Sequence, residues 1–330
     1  MRSGTLLLTR REIAALLSLD ECIAAVEQAL TLHAEGRTLP PGVLGIHVPD
    51  GGFHIKAAGL ELSRPYFAAK ANANFPNNMS RFGLPAIQGV IVLCDGENGS
   101  LLALMDSIEI TIQRTGAATA VAAKHLARPD STVATICGCG NQGRIQLRAL
   151  TKVCPLQRAF AFDRNERQAQ RFAEDLSTEL HIEVKAVRDL ATAVGQSDIC
   201  VTCTPSRQFF LKRKDVPPGT FIAAVGADSP EKQELDPALL AGSTIVVDIL
   251  EQCATIGELH HALEGGLVTR EDVHAELHEV VTGLKRGRSS EEEIIIFDST
   301  GTALQDAAAA VVVYEKAVST GRGITMNFAG

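Results

Sequence analysis

Residues 131–150 read STVATICGCGNQGRIQLRAL. An apolar run stops at GCGNQG, and an amphipathic run begins at Asn141. A strand joined to a helix by glycines is either a cradle for the phosphates of a nucleotide or a tight turn serving geometry alone. Gly138, Gly140 and Gly143 spell G-x-G-x-x-G. In such a turn the first glycine permits the sharp bend and the second lets the backbone approach a pyrophosphate. The third lets the helix pack closely on the strand. Phosphate oxygens would then meet the helix N-terminus, where unbonded N–H groups and the helix dipole favour negative charge.

The pattern alone is weak, and its neighbours strengthen it. RAFAFD reads as a second strand ending in Asp163, 25 residues after Gly138. A carboxylate there accepts hydrogen bonds from ribose hydroxyls and repels a 2′-phosphate, which favours NAD. Arg164 beside it is suited to clamp a 2′-phosphate, which keeps NADP as the alternative cofactor. Downstream, NERQAQRFAEDLSTEL reads as a helix, EVKAV as a strand, DLATAV as a helix and DICVTCT as a strand. TFIAAVG and TIVVDI follow. Strands without partner hairpins, separated by helices, are the pattern of a buried parallel sheet covered on both faces. The expected fold is therefore α/β: a doubly wound Rossmann domain over residues 119–304.

The first part of the chain differs. A helix, SLDECIAAVEQALTLHAEG, precedes runs such as GVLGIHV, FHIKAAGL, YFAAKANANF and IQGVIVLCD, separated by turn residues. These read as antiparallel strands. TGTALQDAAAAVVVYEKAVSTG reads as one long helix that leaves the nucleotide domain and rejoins the first. Residues 1–118, with 305–330 returning to them, are expected to form a second, α+β domain.

Composition excludes several function classes. The net charge of −8 is spread along the chain without a basic block, which argues against nucleic acid as partner. No apolar run reaches the length of a membrane span, and MRSGTLLLTRREIAALL lacks the core of a secretory signal. A cytoplasmic protein that is not bound to a membrane is expected. The eight cysteines fit that compartment. Cys200 and Cys203 match C-x-x-C in spacing, but residues three apart on a strand face opposite sides, so they suit neither a disulfide nor zinc. His260 and His261 have no ligand partners at metal spacing, and no metal is expected.

Hydride chemistry needs a proton-transferring group and cations for an acidic substrate. The loop after TFIAAVG places Asp228 beyond the carboxyl end of a strand, where ligands of open α/β sheets lie. Partly desolvated, it would serve as general acid or base; as a lone residue it reads first as a helix cap or turn residue. Lys56, Lys70 and Arg114 interrupt apolar runs in the first domain. An unpaired buried ammonium is costly, so each is either paired, snorkelling, or part of a carboxylate pocket.

Several stretches together resemble the ornithine cyclodeaminase/mu-crystallin family, which includes archaeal-type alanine dehydrogenases and imine reductases. They are KANANFPNN, GLPAIQGVIVL, ALMDSIEITIQRTGAATAVAAKHLA, GCGNQGR, VTCTPSR, VGADSPEKQELD and IFDSTGTALQD, in the family's order. The resemblance implies a Rossmann domain inserted between an N-terminal part and a C-terminal helix, with homodimers formed through the N-terminal part. It implies that Lys70 contacts substrate, that Arg114 reaches substrate carboxylate and cofactor, and that Asp228 is the catalytic aspartate. Thr115, Asn141, Gln142, Asp163, Thr204, Val225, Lys232 and Ser299 fall at cofactor-side positions, and Thr300 at a substrate-side one. Two departures stand out. Gly42 replaces a basic residue after Pro-Pro, and Lys56-Ala57-Ala58 replaces Met-Pro-Ala, with His54 two residues earlier. A basic charge has moved, which points away from ornithine as the substrate.

The expected activity is NAD(P)-dependent reduction of a 2-imino acid to an L-amino acid. Asp228 would act as acid/base, Lys56 and Arg114 would hold carboxylate, and Lys70 would orient the substrate and stabilise charge. The cation cluster suggests a dicarboxylate such as iminosuccinate. A redox-neutral cyclodeaminase and a nucleotide-bound protein with little turnover are the alternatives.

Overall fold

The computed structural model describes residues 4–328. Contacts divide the chain into two compact units: one is Thr115–Gly301, and the other joins the described residues up to Arg114 with those from Thr302 onward.

The discontinuous unit is built on a seven-stranded sheet. Its strands run in the order Ile324–Met326, Thr5–Leu8, Leu101–Asp106, Ile87–Asp95, Pro65–Asn74, Gly51–Glu61, Thr38–Val48. The long strands pair antiparallel, as their turn-separated sequences suggest. The sheet as a whole is mixed rather than antiparallel, because Thr5–Leu8 pairs parallel with Leu101–Asp106. The helices Leu19–Ala34 and Ala303–Thr320 pack on it. Each begins after a Ser or Thr in extended conformation; Ser18 and Glu21 form a reciprocal capping box. Alternate residues Tyr66, Ala68 and Lys70 of one strand, and Lys56, Ala58 and Leu60 of its neighbour, are buried. A period of two puts each of these sets on a single face. Phe53, Ile55 and Val90 are exposed, as are Leu39, Leu44 and Ile46 of the edge strand.

The Thr115–Gly301 unit holds an eight-stranded sheet in the order Val273–Glu276, Thr244–Val247, Ile295–Asp298, Phe221–Ala224, Ile199–Thr202, Val133–Cys137, Arg158–Phe162, Glu183–Ala186. Every pairing is parallel. Ile199–Thr202, Phe221–Ala224 and Ile295–Asp298 are buried at every position, so both of their faces are covered. This is the expected α/β architecture with a Rossmann-type parallel sheet. Val133–Cys137 lies between the strand that follows it in sequence and Ile199–Thr202. The connections therefore reverse direction at its carboxyl end, where a crevice opens in such sheets. Gly138 begins there. Ile295–Asp298, which lies between Thr244–Val247 and Phe221–Ala224, is a strand that sequence patterning did not single out.

Candidate active site

The glycine turn is shaped by close approach. Gly138 has φ 101°, and a Cβ there would lie 2.9 Å from the Cys203 carbonyl oxygen. A Cβ on Gly143 would lie 2.0 Å from the Gly138 carbonyl oxygen, so the helix Asn141–Val153 can seat against the strand only with glycine there. Gly140 is different: a Cβ would meet only Gln168 Nε2, at 3.8 Å. Open space therefore lies over Gly140 at the helix start, where no side chain caps the free N–H groups of the first turn. Asn141 and Gln142 are the first two residues of that helix. A pyrophosphate is the acceptor such a turn fits. Asp163 follows the strand Arg158–Phe162. Its carboxylate accepts from the Cys139 N–H and the Asn165 N–H, each at 2.8 Å, which ties it to the turn. Arg164 is exposed.

Two loops beyond the neighbouring strands are joined by a residue that sequence reading missed. Glu234 is buried, and its Oε1 accepts from both the Thr204 N–H and the Thr204 hydroxyl at 2.6 Å. Its Oε2 accepts from the Gly226 N–H at 3.1 Å. Burial pushes the Glu234 carboxyl up to about 7, against those hydrogen bonds. Val225, immediately before Gly226, donates to the Thr202 carbonyl. The loop then presents Asp228, whose Oδ1 is 2.5 Å from Lys232 Nζ. Partial desolvation was the expectation for Asp228; instead its side chain is 51% exposed and ion-paired. An i,i+4 spacing brings a cation to it without a buried pocket.

Ser299 and Thr300 follow the strand Ile295–Asp298 and are both buried. Asp248 accepts from the Ser299 hydroxyl at 3.1 Å, the Thr300 hydroxyl at 3.1 Å and the Gly301 N–H at 2.7 Å. Gln252 Nε2 donates to Thr300 Oγ1 at 2.6 Å. Asp248, the final residue of TIVVD, thus fixes both hydroxyls.

In the other unit, Lys56, Lys70 and Arg114 come together as buried cations. The carboxylate that gathers them is Asp306, near the start of the helix Ala303–Thr320. Lys70 Nζ is 2.7 Å from Asp306 Oδ2, and Arg114 Nε is 2.9 Å from Oδ1. Arg114 Nη1 also donates to Gln305 Oε1 at 2.8 Å, which fixes the guanidinium plane. Burial and then the charges of Arg114 and Lys56 lower Lys70 from 10.5 to about 7, although Asp306 opposes this. Burial acts to raise Asp306, but Arg114, Lys70 and Lys56 outweigh it and leave the carboxyl below its usual range. Thr115 follows Arg114 on the helix Ser107–Leu126. His54 is half-buried, two residues before Lys56 and hence on the same strand face, with its ring edge-on to His47.

Structure also corrects the reading of the paired histidines. His260, His261 and Glu264 place potential ligand atoms within 4.8 Å of one another, closer than the sequence suggested. His261 Nε2 is already 2.7 Å from the Lys232 carbonyl oxygen. All eight cysteines are free thiols.

Comparison with known proteins fits this geometry. The model of the ornithine cyclodeaminase/mu-crystallin family matches residues 3–321. Alanine dehydrogenase of Archaeoglobus fulgidus is 41% identical over 327 residues, 98% of each chain. An archaeal alanine dehydrogenase dimer with bound NAD superposes with a TM-score of 0.94 at 41% identity, covering 98% of this chain and 99% of that one. The Delta(1)-pyrroline-2-carboxylate reductase of Thermococcus litoralis, in complex with NADH and L-proline, gives 0.94 at 36% identity, covering 98% and 100%. The iminosuccinate reductase of Paracoccus denitrificans, in complex with NAD+, gives 0.89 at 31% identity, covering 98% and 99%. The chain belongs to the ornithine cyclodeaminase/mu-crystallin family.

Proposed function

We propose that this chain is an NAD-dependent reductase of 2-imino acids that yields L-amino acids. At the level of reaction class it is an NAD-dependent oxidoreductase of the amino-acid dehydrogenase and imine reductase kind. The observation that carries the finer reading is the gathering of three buried cations, Lys56, Lys70 and Arg114, near the Asp306 carboxylate. An anionic ligand is a favourable partner for cations held in a buried setting. A substrate carboxylate supplies that charge, and Arg114 offers it the planar fork that suits bidentate binding.

Bound nicotinamide supplies the hydride. Reduction adds hydride to the imine carbon and leaves the former π pair on nitrogen, where one proton completes the amine. Lys56 and Arg114 hold the substrate carboxylate. Lys70, lowered to about 7, can give up a proton near neutrality, and as the ammonium it stabilises charge on the substrate. Asp228 exchanges the nitrogen's proton, and Lys232 beside it keeps the carboxylate in place. Thr204, Val225 and Ser299 line the cofactor side, and Thr300 the substrate side.

Lys56 favours a substrate with two carboxylates, such as iminosuccinate giving aspartate. A second basic group on the Lys70 face supports this, as does similarity to an iminosuccinate reductase. NADH oxidation is measured with ammonia and, in turn, glyoxylate, pyruvate, oxaloacetate and 2-oxoglutarate. Ammonia-dependent oxidation that is fastest with oxaloacetate and lost in Asp228→Asn is expected. Equal losses with mono- and dicarboxylate substrates in Lys56→Ala would remove the dicarboxylate reading. Ammonia release from ornithine without net NADH change would replace the reductase with a cyclodeaminase.

We also propose a homodimer formed through the exposed apolar side of the seven-stranded sheet. An apolar patch of this extent, spread over Leu44, Ile46, Phe53, Ile55 and Val90, is characteristic of a surface that is covered in the assembled protein.

A further inference from the structure

The helix Glu258–Glu264 belongs to the Thr115–Gly301 unit and grips the chain that follows Asp228 at two points. At its start the Glu258 carboxylate accepts from the Glu234 N–H at 2.7 Å and the Leu235 N–H at 3.1 Å. Further along, His261 Nε2 lies 2.7 Å from the Lys232 carbonyl oxygen. A carbonyl only accepts, so Nε2 carries the ring hydrogen and Nδ1 keeps its lone pair. His260 precedes it with the two ring centroids 4.8 Å apart. Glu264 stands one turn on from His260, and His260 Nε2 is 3.5 Å from Glu264 Oε2. Both imidazoles are half-buried and Glu264 is exposed, which leaves an ion a path from solvent.

We infer that His260, His261 and Glu264 bind a divalent transition ion of the zinc class, and that the ion steadies the loop carrying Asp228. Each side chain offers a ligand atom within 4.8 Å of the other two. Bonds of about 2.0–2.1 Å in a tetrahedral site put neighbouring donors about 3.3 Å apart. The His260–Glu264 spacing is already close to that. A ligand histidine characteristically donates its other ring N–H to a carbonyl or carboxylate, which fixes its tautomer and ring plane. The Lys232 carbonyl takes that place behind His261. An i,i+4 His–Glu pair alone is an ordinary surface contact; the second, oriented imidazole makes a chelate of it. Two nitrogens and a carboxylate oxygen suit Zn2+, Ni2+ or Cu2+ better than Mg2+ or Ca2+, which prefer all-oxygen sites. Three protein ligands leave a position for water. Asp228 pairs with Lys232 Nζ, and the Lys232 N–H donates to the Ser229 carbonyl at 3.0 Å. An ion that fixes His261 therefore holds the Lys232 end of this turn while taking no part in hydride transfer.

Isothermal titration of the full chain, freed of metal, with Zn2+ and with Mg2+ as the control ion reads the site directly. Zn2+ is expected to bind and Mg2+ to bind far more weakly. In His260→Ala/Glu264→Ala the Zn2+ affinity is expected to fall by about tenfold or more, since even losing a partner behind a ligand costs that much. A melting curve without metal checks that the variant folds, and Glu264→Gln, at an exposed position, gives the same test if it does not. Co2+ in place of Zn2+ gives visible absorption bands that report nitrogen and oxygen ligation, and these should be lost in the variant. Hydrogen exchange over residues 226–235 should slow with Zn2+ in the wild type and not in the variant. Unchanged Zn2+ affinity in a folded variant, or equal affinity for Mg2+, overturns the site. Zn2+ held by these residues without slower exchange overturns the link to the Asp228 loop. None of these readouts uses NADH or substrate, so failure of the reductase reading leaves them intact.

Discussion

Lys56 and Lys70 stand directly opposite one another on adjacent antiparallel strands. Like charges at such a cross-strand pair repel, and burial raises the cost. Asp306 is what makes the register tolerable: it pairs with Lys70 at 2.7 Å and draws on Lys56 and Arg114 as well. Asp306→Asn is therefore expected to destabilise the protein by about 3–5 kcal/mol, the usual result of leaving buried charge uncompensated. Urea unfolding measures it. Adding Lys70→Met to Asp306→Asn should recover part of the loss; a strictly additive double variant would show that the pair does not interact.

Lys70 also makes a pH signature. Its folded-state value, about 7, lies below its ordinary 10.5. Between those values the unfolded chain holds the proton and the folded chain does not, so stability rises with pH through that window. This contribution is lost as pH falls toward 7. The stability of the wild type relative to Lys70→Met should accordingly increase from pH 7 to pH 9. If the Lys70 ammonium assists reduction, kcat/KM should fall over the same range, and the fall should vanish in the variant. A pH-rate profile of each protein tests both.

The turn glycines separate folding from binding. In Gly143→Ala the new methyl would meet the Gly138 carbonyl oxygen at 2.0 Å, so a loss of about 1–3 kcal/mol or more is expected. Gly140→Ala meets open space and has an extended backbone, so the protein should melt as the wild type does. Its methyl occupies the approach to the backbone, and NADH affinity should drop at least tenfold. Thermal melts beside fluorescence titrations give both readings.

Glu234 buckles the Thr204 and Gly226 loops together, with every contact made by an oxygen acceptor. Glu234→Gln turns one acceptor into a donor facing donors, which costs roughly 1–3 kcal/mol locally. The KM for NADH should rise about tenfold, with a smaller change in kcat. Equal KM values would restrict Glu234 to a structural part.

If the exposed apolar side of the seven-stranded sheet is an interface, Phe53→Glu/Ile55→Glu should yield monomers. Sedimentation velocity distinguishes this from a wild type of twice the mass. A monomeric wild type would instead leave the patch to some other partner.

The parallel sheet was legible because its strands are short apolar runs bounded by helices with one apolar stripe. NQGRIQLRALTKV is the helix Asn141–Val153 without adjustment. Thr5–Leu8 and Ile324–Met326 were not legible. Segments of three or four residues carry no periodicity, and Thr5 pairs with Met326 at the opposite end of the chain. Lys56, Lys70 and Arg114 announced themselves as charges in apolar surroundings. Asp306 did not, because an acid in an alanine-rich helix looks local until its partners from distant strands are known. Glu234 was hidden in the charged run EKQELD for the same reason. Its burial depends on two loops that lie before it in the chain.

The link between Arg114 and Asp306 spans 192 positions of sequence. Synthesis proceeds from the N-terminus, so the strands bearing Lys56 and Lys70 leave the ribosome long before their anion does. A whole nucleotide-type sheet is made in the interval. Until the helix Ala303–Thr320 emerges, the lysine-bearing face has neither its carboxylate nor its alanine cover, and it must stay hydrated. Closing so long a loop adds little beyond what a moderate one would, because the entropy grows only with the logarithm of length. Timing is the greater burden: the discontinuous unit is the last part of a nascent chain to become whole, and its charged centre stays without its anion until the helix Ala303–Thr320 has been made.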